Sequence, residues 1–176
     1  MPVRNVDEGI LTIKDSLGTK YNNLVFALKN GCFSAAGLAE GTNSATLKTT
    51  YAISYTIDGQ MYYKAATDNI AMTALSAQAD NTYRKYLVEI NSSGTVSILA
   101  GTAASTAAAA KWPARSSSGK AVIGGFQIAT SGGTFTSGTT DITGGAGVTE
   151  TFYDFGFLDD ATTQEGTSFV EEIPTS

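Results

Sequence analysis

Hydrophobic and polar positions alternate most plainly over Thr50 to Lys64, TYAISYTIDGQMYYK, where small or polar residues separate Tyr51, Ile53, Tyr55 and Ile57. A period of two is that of a half-buried strand. Asp58-Gly59 then offers the two left-handed positions of a type I′ turn, and Met61, Tyr62 and Tyr63 carry the chain back. The stretch predicts a β-hairpin. Tyr83 to Ile90 predicts another strand, Asn91-Ser92-Ser93-Gly94 a turn in which Gly94 can take a positive φ, and Thr95 to Ala100 the returning strand. Lys120 to Thr130, KAVIGGFQIAT, places Val122, Gly124, Phe126 and Ile128 on one face and reads as a core strand. Within it, Gly124-Gly125 marks a bulge or the close approach of another backbone.

The remaining segments are less regular. Met1 to Gly9 is a polar arm, Ile10 to Lys14 a short strand closed by the turn signal Asp15-Ser16-Leu17-Gly18, and Leu24 to Leu28 fits a buried strand or a helical turn, with strand preferred. Gly31 to Gly41 reads as a connection, and Ala45 to Lys48 leads into the next strand. Ala65 to Asn81 resembles a loop holding one irregular strand. Thr102 to Lys111, TAASTAAAAK, has the highest helix preference in the chain but is marginal in length, so either a short packed helix at Ala103 to Ala110 or an extended crossing fits. Trp112-Pro113 ends it either way. Ser131 to Val148 is a Gly/Ser/Thr-rich excursion with a possible strand at Thr134 to Thr136, and Thr149 to Phe157 is the last aromatic run.

Composition sharpens the fold class. Of the 176 residues, 24 are Ala, 25 Thr and 19 Gly, a mixture that favours sheets joined by turns over helical bundles. The expectation is an all-β, jelly-roll-like β-sandwich with an extended N-terminal arm and at most one short helix. Residues 1–45 form the arm and first strands, 46–157 the sandwich core, and 158–176 an acidic tail, all within a single domain.

Charge narrows the partners. Through Glu150 there are eleven basic and ten acidic residues; beyond it stand Asp154, Asp159, Asp160, Glu165, Glu171 and Glu172 with no basic residue, so the net charge of −5 comes from the C-terminal end. No basic stripe is present to neutralise phosphates, and nucleic acid is not an expected partner. No run reaches the roughly 18 apolar residues of a membrane helix, and MPVRNVDEG lacks the apolar centre of a signal peptide, which places synthesis in the cytoplasm of the producing cell.

Reactive chemistry is sparse. The chain has no histidine, which removes Ser-His-Asp triads, Cys-His pairs and histidine zinc sites, and one cysteine, Cys32, which is expected to be buried. The carboxylate pairs Asp159-Asp160 and Glu171-Glu172 lie in a polar stretch with nothing to desolvate them. The glycine clusters at 131–133 and 144–147 lack the Lys-Ser/Thr of a phosphate loop and read as turns. Asp141 alone is a weak basis for a calcium site. No catalytic residue, metal or cofactor is expected. Tyr51, Tyr55, Tyr62, Tyr63, Tyr83 and Tyr86 are half-buried packing residues or, alternatively, a stacking platform for sugars or bases.

The segments AISYTIDGQMYYKAATDNIAMTA, YLVEINSSGTVSILAG, the Ala-rich stretch ending in WP, GKAVIGGFQI and TFTSGTTDIT resemble, in order and spacing over about Ala52 to Asp154, a family of structural proteins of tailed bacteriophages. The resemblance implies a virion component of the decoration or cement type, on the capsid exterior, rather than an enzyme. The expected partners are the major capsid protein and further copies of the chain, as a homotrimer at sites of local threefold symmetry. Val3, Arg4 and Val6 are the candidate capsid contacts, and Phe152, Phe155 and Phe157 the candidate contacts between protomers. The alternative is a tail- or head-fibre module that binds host glycans through Tyr62 and Tyr63.

Overall fold

The structure, a computed structural model, describes residues 29–145 and 147–155. Nine strands, all paired antiparallel, make up its regular elements: β1 Leu38–Glu40, β2 Leu47–Thr49, β3 Ile53–Ile57, β4 Gln60–Lys64, β5 Thr67–Ile70, β6 Tyr83–Asn91, β7 Val96–Ala100, β8 Lys120–Thr130 and β9 Val148–Asp154. The described part is nearly all β. A four-stranded sheet has the order β7-β6-β8-β9; a three-stranded sheet, β1-β2-β5, and the hairpin β3-β4 lie against it, with β1 on β9 and β3 on β8. The predicted strands at 10–14 and 24–28 lie outside the described residues.

Both predicted hairpins form, because each turn carries the residues its geometry requires. Asp58 and Gly59 have φ of 50° and 81°, as a type I′ turn demands, and Gly94 has φ of 75°. The first strand of the leading hairpin starts later than its alternation suggests. Tyr51 lies outside β3 and is 61% exposed, since its N–H donates to the Ala36 carbonyl and its ring sits over Gly37. Gly31 to Gly41, expected to be a plain connection, pairs twice: Cys32 bridges Tyr55 at the outer edge of β3, and β1 pairs with β2. Cys32 itself is buried, and that burial raises its thiol pKa.

Strand β8 sits at the centre of the molecule, and its core face differs from the simple alternation. Val88 pairs with Gly124 but Glu89 pairs with Val122, so Ile123 is an extra residue and the parity reverses across it. The side chains that enter the main core are therefore Ala121 and Ile123 before the bulge and Phe126 and Ile128 after it, joined by Tyr86, Val88 and Ile90 from β6. Phe126 stacks on Tyr86 at 4.8 Å, and Phe135 from the glycine-rich excursion meets Tyr86 edge-on at 5.7 Å.

The opposite face of this sheet is also covered. Leu87, Val122 and Ala110 are buried but lie apart from the main core. The segment from Gly101 to Gly119 crosses over them as a strap. Of the two readings of Ala103 to Ala110, a short helix or an extended crossing, the structure takes the crossing. One turn closes at Thr106, whose carbonyl accepts the Ala109 and Ala110 N–H groups, while Ala104 bridges back to Tyr83. Ten residues nucleate a helix poorly, and the pairing with β6 offers the backbone an alternative.

Gly124 and Gly125 let both covering layers approach. A Cβ on Gly124 would stand 2.5 Å from Leu38 Cδ1 and 2.5 Å from the Tyr153 carbonyl oxygen; one on Gly125 would enter the Trp112 ring and lie 2.7 Å from the Tyr86 carbonyl oxygen. Gly124→Ala and Gly125→Ala are each expected to lower stability by about 1–3 kcal/mol, read as a reduced urea midpoint at unchanged slope.

Burial pushes the Tyr86 phenol pKa up to about 12, with the nearby Arg84 charge acting in the opposite direction. A raised phenol pKa favours the neutral, folded form. Its contribution is fully present below about pH 10, the unfolded value, and is lost as pH rises toward about 12. Burial raises the Tyr55 phenol as well, so ultraviolet titration should show a late step to which Tyr86 contributes, together with loss of the β circular-dichroism signal, and Tyr86→Phe should diminish that step.

Candidate functional site

The structure separates the residues that the sequence proposed for contact. Tyr62 and Tyr63 are neighbours on β4 and face opposite sides of the hairpin. Tyr62 is half-buried, stacks on Tyr55 at 5.6 Å and donates its hydroxyl to Gln60 Oε1 at 3.1 Å; Tyr63 is 70% exposed. The pair does not present one two-ring surface. Of the other tyrosines proposed for a platform, Tyr55 and Tyr86 are core residues. Phe152 packs on Phe126 at 6.0 Å, and Phe155 meets Trp112 edge-on at 5.2 Å. Val3, Arg4, Val6 and Phe157 lie outside the described residues, as do both tail carboxylate pairs.

Two constellations emerge that the sequence reading missed, and both lie on the strap. Trp112 covers Gly125 and is flanked by Tyr153 at 5.4 Å and Phe155, with Lys85 Nζ 5.1 Å from its ring centre. Beside it, the Glu89 carboxylate is almost wholly buried, at 1% exposure. Its Oε1 accepts the Ser116 N–H and its Oε2 the Ser116 hydroxyl, both at 2.6 Å. Lys120 Nζ lies 3.6 Å away and donates to Ser97 Oγ at 2.8 Å. Burial lowers the Arg115 pKa, and the charge of Glu89 opposes that shift. A glutamate inside the apolar run Tyr86 to Ile90 was the available signal, because a charge at that parity needs a partner on the same face.

The chemistry of this arrangement is that of a clamp. Both Glu89 oxygens are engaged by Ser116, one by its N–H and one by its hydroxyl, so the carboxylate ties the strap down. Together with the ring of Trp112, it fixes the strap to the sheet at two points. Asp141 likewise joins two loops: its carboxylate accepts the Ser44 hydroxyl, and among the described residues no group of three or more acidic or thiol side chains converges on a metal position.

Exposed aspartates do the same work in the loops. Asp80 accepts the N–H groups of Gly132 at 2.6 Å, Asn81 and Gly133, and Asp68 accepts the hydroxyl and N–H of Thr42 and the N–H of Asn69. These bonds hold both carboxyl pKa values below the usual range, led by Gly132 for Asp80 and by the Thr42 hydroxyl for Asp68. Depressed acid pKa values add stability above the unfolded value of about 4, and that stability is lost as pH falls through the folded ones.

Compared with protein-family models, curated proteins and solved structures, the chain matches none.

Removing the buried carboxylate should release the strap. Glu89→Ala leaves the Lys120 charge and the Ser116 N–H without their acceptor, and a loss of about 3–5 kcal/mol is expected. The single Trp112 reports it directly: its fluorescence should shift to the red and become more quenchable by iodide.

Proposed function

We propose that this chain is a structural protein of a tailed-bacteriophage virion, a decoration or cement protein that sits as an oligomer on the outer surface of the major capsid protein lattice and stabilises the head. The observation that supports this most is how the polar interior is used. Seven polar or charged residues are buried among the described ones: Asn30, Thr49, Thr56, Gln78, Glu89, Thr130 and Ser137. Every one of them bonds the backbone of another segment. Asn30 accepts the Asp58 N–H, Thr49 the Thr67 N–H and Thr56 the Gly31 N–H. Gln78 donates to the Thr82 and Ile128 carbonyls, Glu89 accepts the Ser116 N–H, Thr130 donates to the Ala79 carbonyl, and Ser137 to that of Thr73. Such an interior makes a rigid block, while large apolar side chains remain outside at Tyr51, Met61 and Tyr63.

A rigid β block with an arm suits attachment by many weak contacts. Val3, Arg4 and Val6 dock the arm on the shell in this reading. Phe152 and Phe155 already pack within the chain, so contact between protomers in the expected homotrimer falls to Phe157 and the exposed parts of those two rings. The jelly-roll assignment belongs to the same proposal. It draws support from the layered antiparallel sheets, although the order β7-β6-β8-β9 is built largely from hairpin-like neighbours. Stabilisation of the head follows from mass action, since a ligand that prefers the assembled shell shifts the equilibrium toward it. A fibre-associated module binding host glycans is the second reading, and the exposed ring of Tyr63 favours it.

Co-sedimentation with purified shells tests the proposal. The full chain should bind in numbers comparable to the major shell protein and raise the temperature of shell disruption. Deleting Met1 to Gly9 should weaken binding at least about tenfold, or about 1.4 kcal/mol. No binding by the full chain, together with a Tyr63-dependent signal on a glycan array, would favour the fibre reading instead.

A further inference from the structure

Strand β4 differs from every other part of its hairpin in what it leaves unused. In a two-residue type I′ hairpin the residues flanking the turn form a bonded pair, so Ile57–Gln60, Tyr55–Tyr62 and Ile53–Lys64 exchange backbone bonds. The N–H and C=O groups of Met61 and Tyr63 consequently point away from β3. The corresponding outward groups of β3 are covered: the Ser54 carbonyl accepts the Phe33 N–H and the Thr56 N–H donates to the Gly31 carbonyl, each at 2.8 Å. Among the described residues, nothing covers those of β4 in the same way. Met61 and Tyr63 also carry two of the most exposed large apolar side chains, at 67% and 70%, and both lie on the same face of the strand. An uncovered edge with apolar side chains invites strand pairing.

We propose that β4 is a self-association edge, along which two copies of this chain pair antiparallel about a twofold axis at Tyr62. The strand is complementary to itself in that register. Met61 of one copy faces Tyr63 of the other as a bonded pair, twice over, so the four outward backbone groups of each copy meet their counterparts and a thioether lies on each aromatic ring. Tyr62 faces its own equivalent as a non-bonded pair. Lys64 faces Gln60, and one diagonal further Asp58, so opposite charges meet across the junction and no like charges are opposed. Among the described residues Asp58 pairs with Lys29 at 3.6 Å, an exposed contact that exchanges readily. Because the contact uses the same edge of both copies, it closes at two. It is independent of the capsid reading: a twofold junction joins two free chains, or two oligomers already seated on a lattice.

Sedimentation equilibrium and cysteine cross-linking of the full chain decide the matter. Wild type is expected to sediment as a dimer or a higher even-numbered oligomer. Tyr63→Lys, a change at an exposed side chain that the fold does not need, should weaken the association at least tenfold. Tyr62→Cys should form a disulfide-linked dimer under mild oxidation, because the Cα atoms of a non-bonded antiparallel pair lie about 4.5 Å apart, within disulfide range. Ser105→Cys, exposed on the strap that covers the other face of the central sheet, is the control. A monomeric or odd-numbered wild type, an association unmoved by Tyr63→Lys, or a Tyr62→Cys chain that cross-links no faster than Ser105→Cys would each overturn the proposal. Coverage of the edge by the chain's own N-terminal residues would appear as the monomer. Failure here leaves the co-sedimentation result with shells untouched.

Discussion

Three layers meet at two adjacent residues without side chains. Gly124 presents its bare backbone to Leu38 of β1, and Gly125 presents its own to Trp112 of the strap, so the central sheet is clasped from both sides at one point of β8. Close-packed interiors tolerate little added volume, and here the obstruction on each side includes backbone as well as side chain. The bulge at Ile123 depends on the same place. It reverses the parity of β8 immediately before Gly124, which keeps apolar residues on the main core along all eleven residues of the strand.

Around this pinch the fold is held by polar pins as much as by apolar area. Gln78 shows why. Its amide donates to the Thr82 and Ile128 carbonyls, its carbonyl oxygen accepts the Tyr86 hydroxyl, and its backbone exchanges two bonds with Phe135. A fully buried amide with all these groups engaged ties the loop before β6, the end of β8 and the glycine-rich excursion into one unit. Its loss would leave several buried groups unsatisfied at once, which is the expensive case for hydrogen bonds. Glu89 plays the equivalent part on the other face, where a charge is tolerable only because Ser116, Lys120 and Arg115 surround it.

The parts that were legible beforehand are those whose signal is local. Asp58-Gly59 and Asn91 to Gly94 specify their turns within four residues, and both hairpins followed from them. The Gly124-Gly125 pair was readable as a bulge or a close approach; it is the close approach, and the bulge falls one residue earlier, at Ile123. What escaped depends on residues distant in sequence. The face of β8 could not be read past a bulge whose position is set by β6. The short strand read at Thr134 to Thr136 appears as a single bridge from Phe135 to Gln78, but the burial of Phe135 was not legible, because its partners Gln78 and Tyr86 lie more than forty residues earlier. The strap's Ala-rich sequence left a short helix and an extended crossing both open, and its anchors at Tyr83, Glu89 and Gly125 decide for an irregular crossing. Tyr62 and Tyr63 read as a pair in sequence, yet adjacency on a strand is what parts them.

These constraints concentrate the available binding capacity at the periphery. A buried polar side chain already bonded to the segments around it has little left for a substrate, and Gln78 and Glu89 are of that kind. An exposed strand edge is different, because its backbone donors and acceptors gain partners on association without any rearrangement of the block behind them. Pairing there orders only a few side chains, so little conformational entropy opposes it. Rigidity within and unsatisfied capacity at an edge are therefore two results of one design: the polar pins that immobilise the layers also keep β4 presented in a single, pairing-ready geometry.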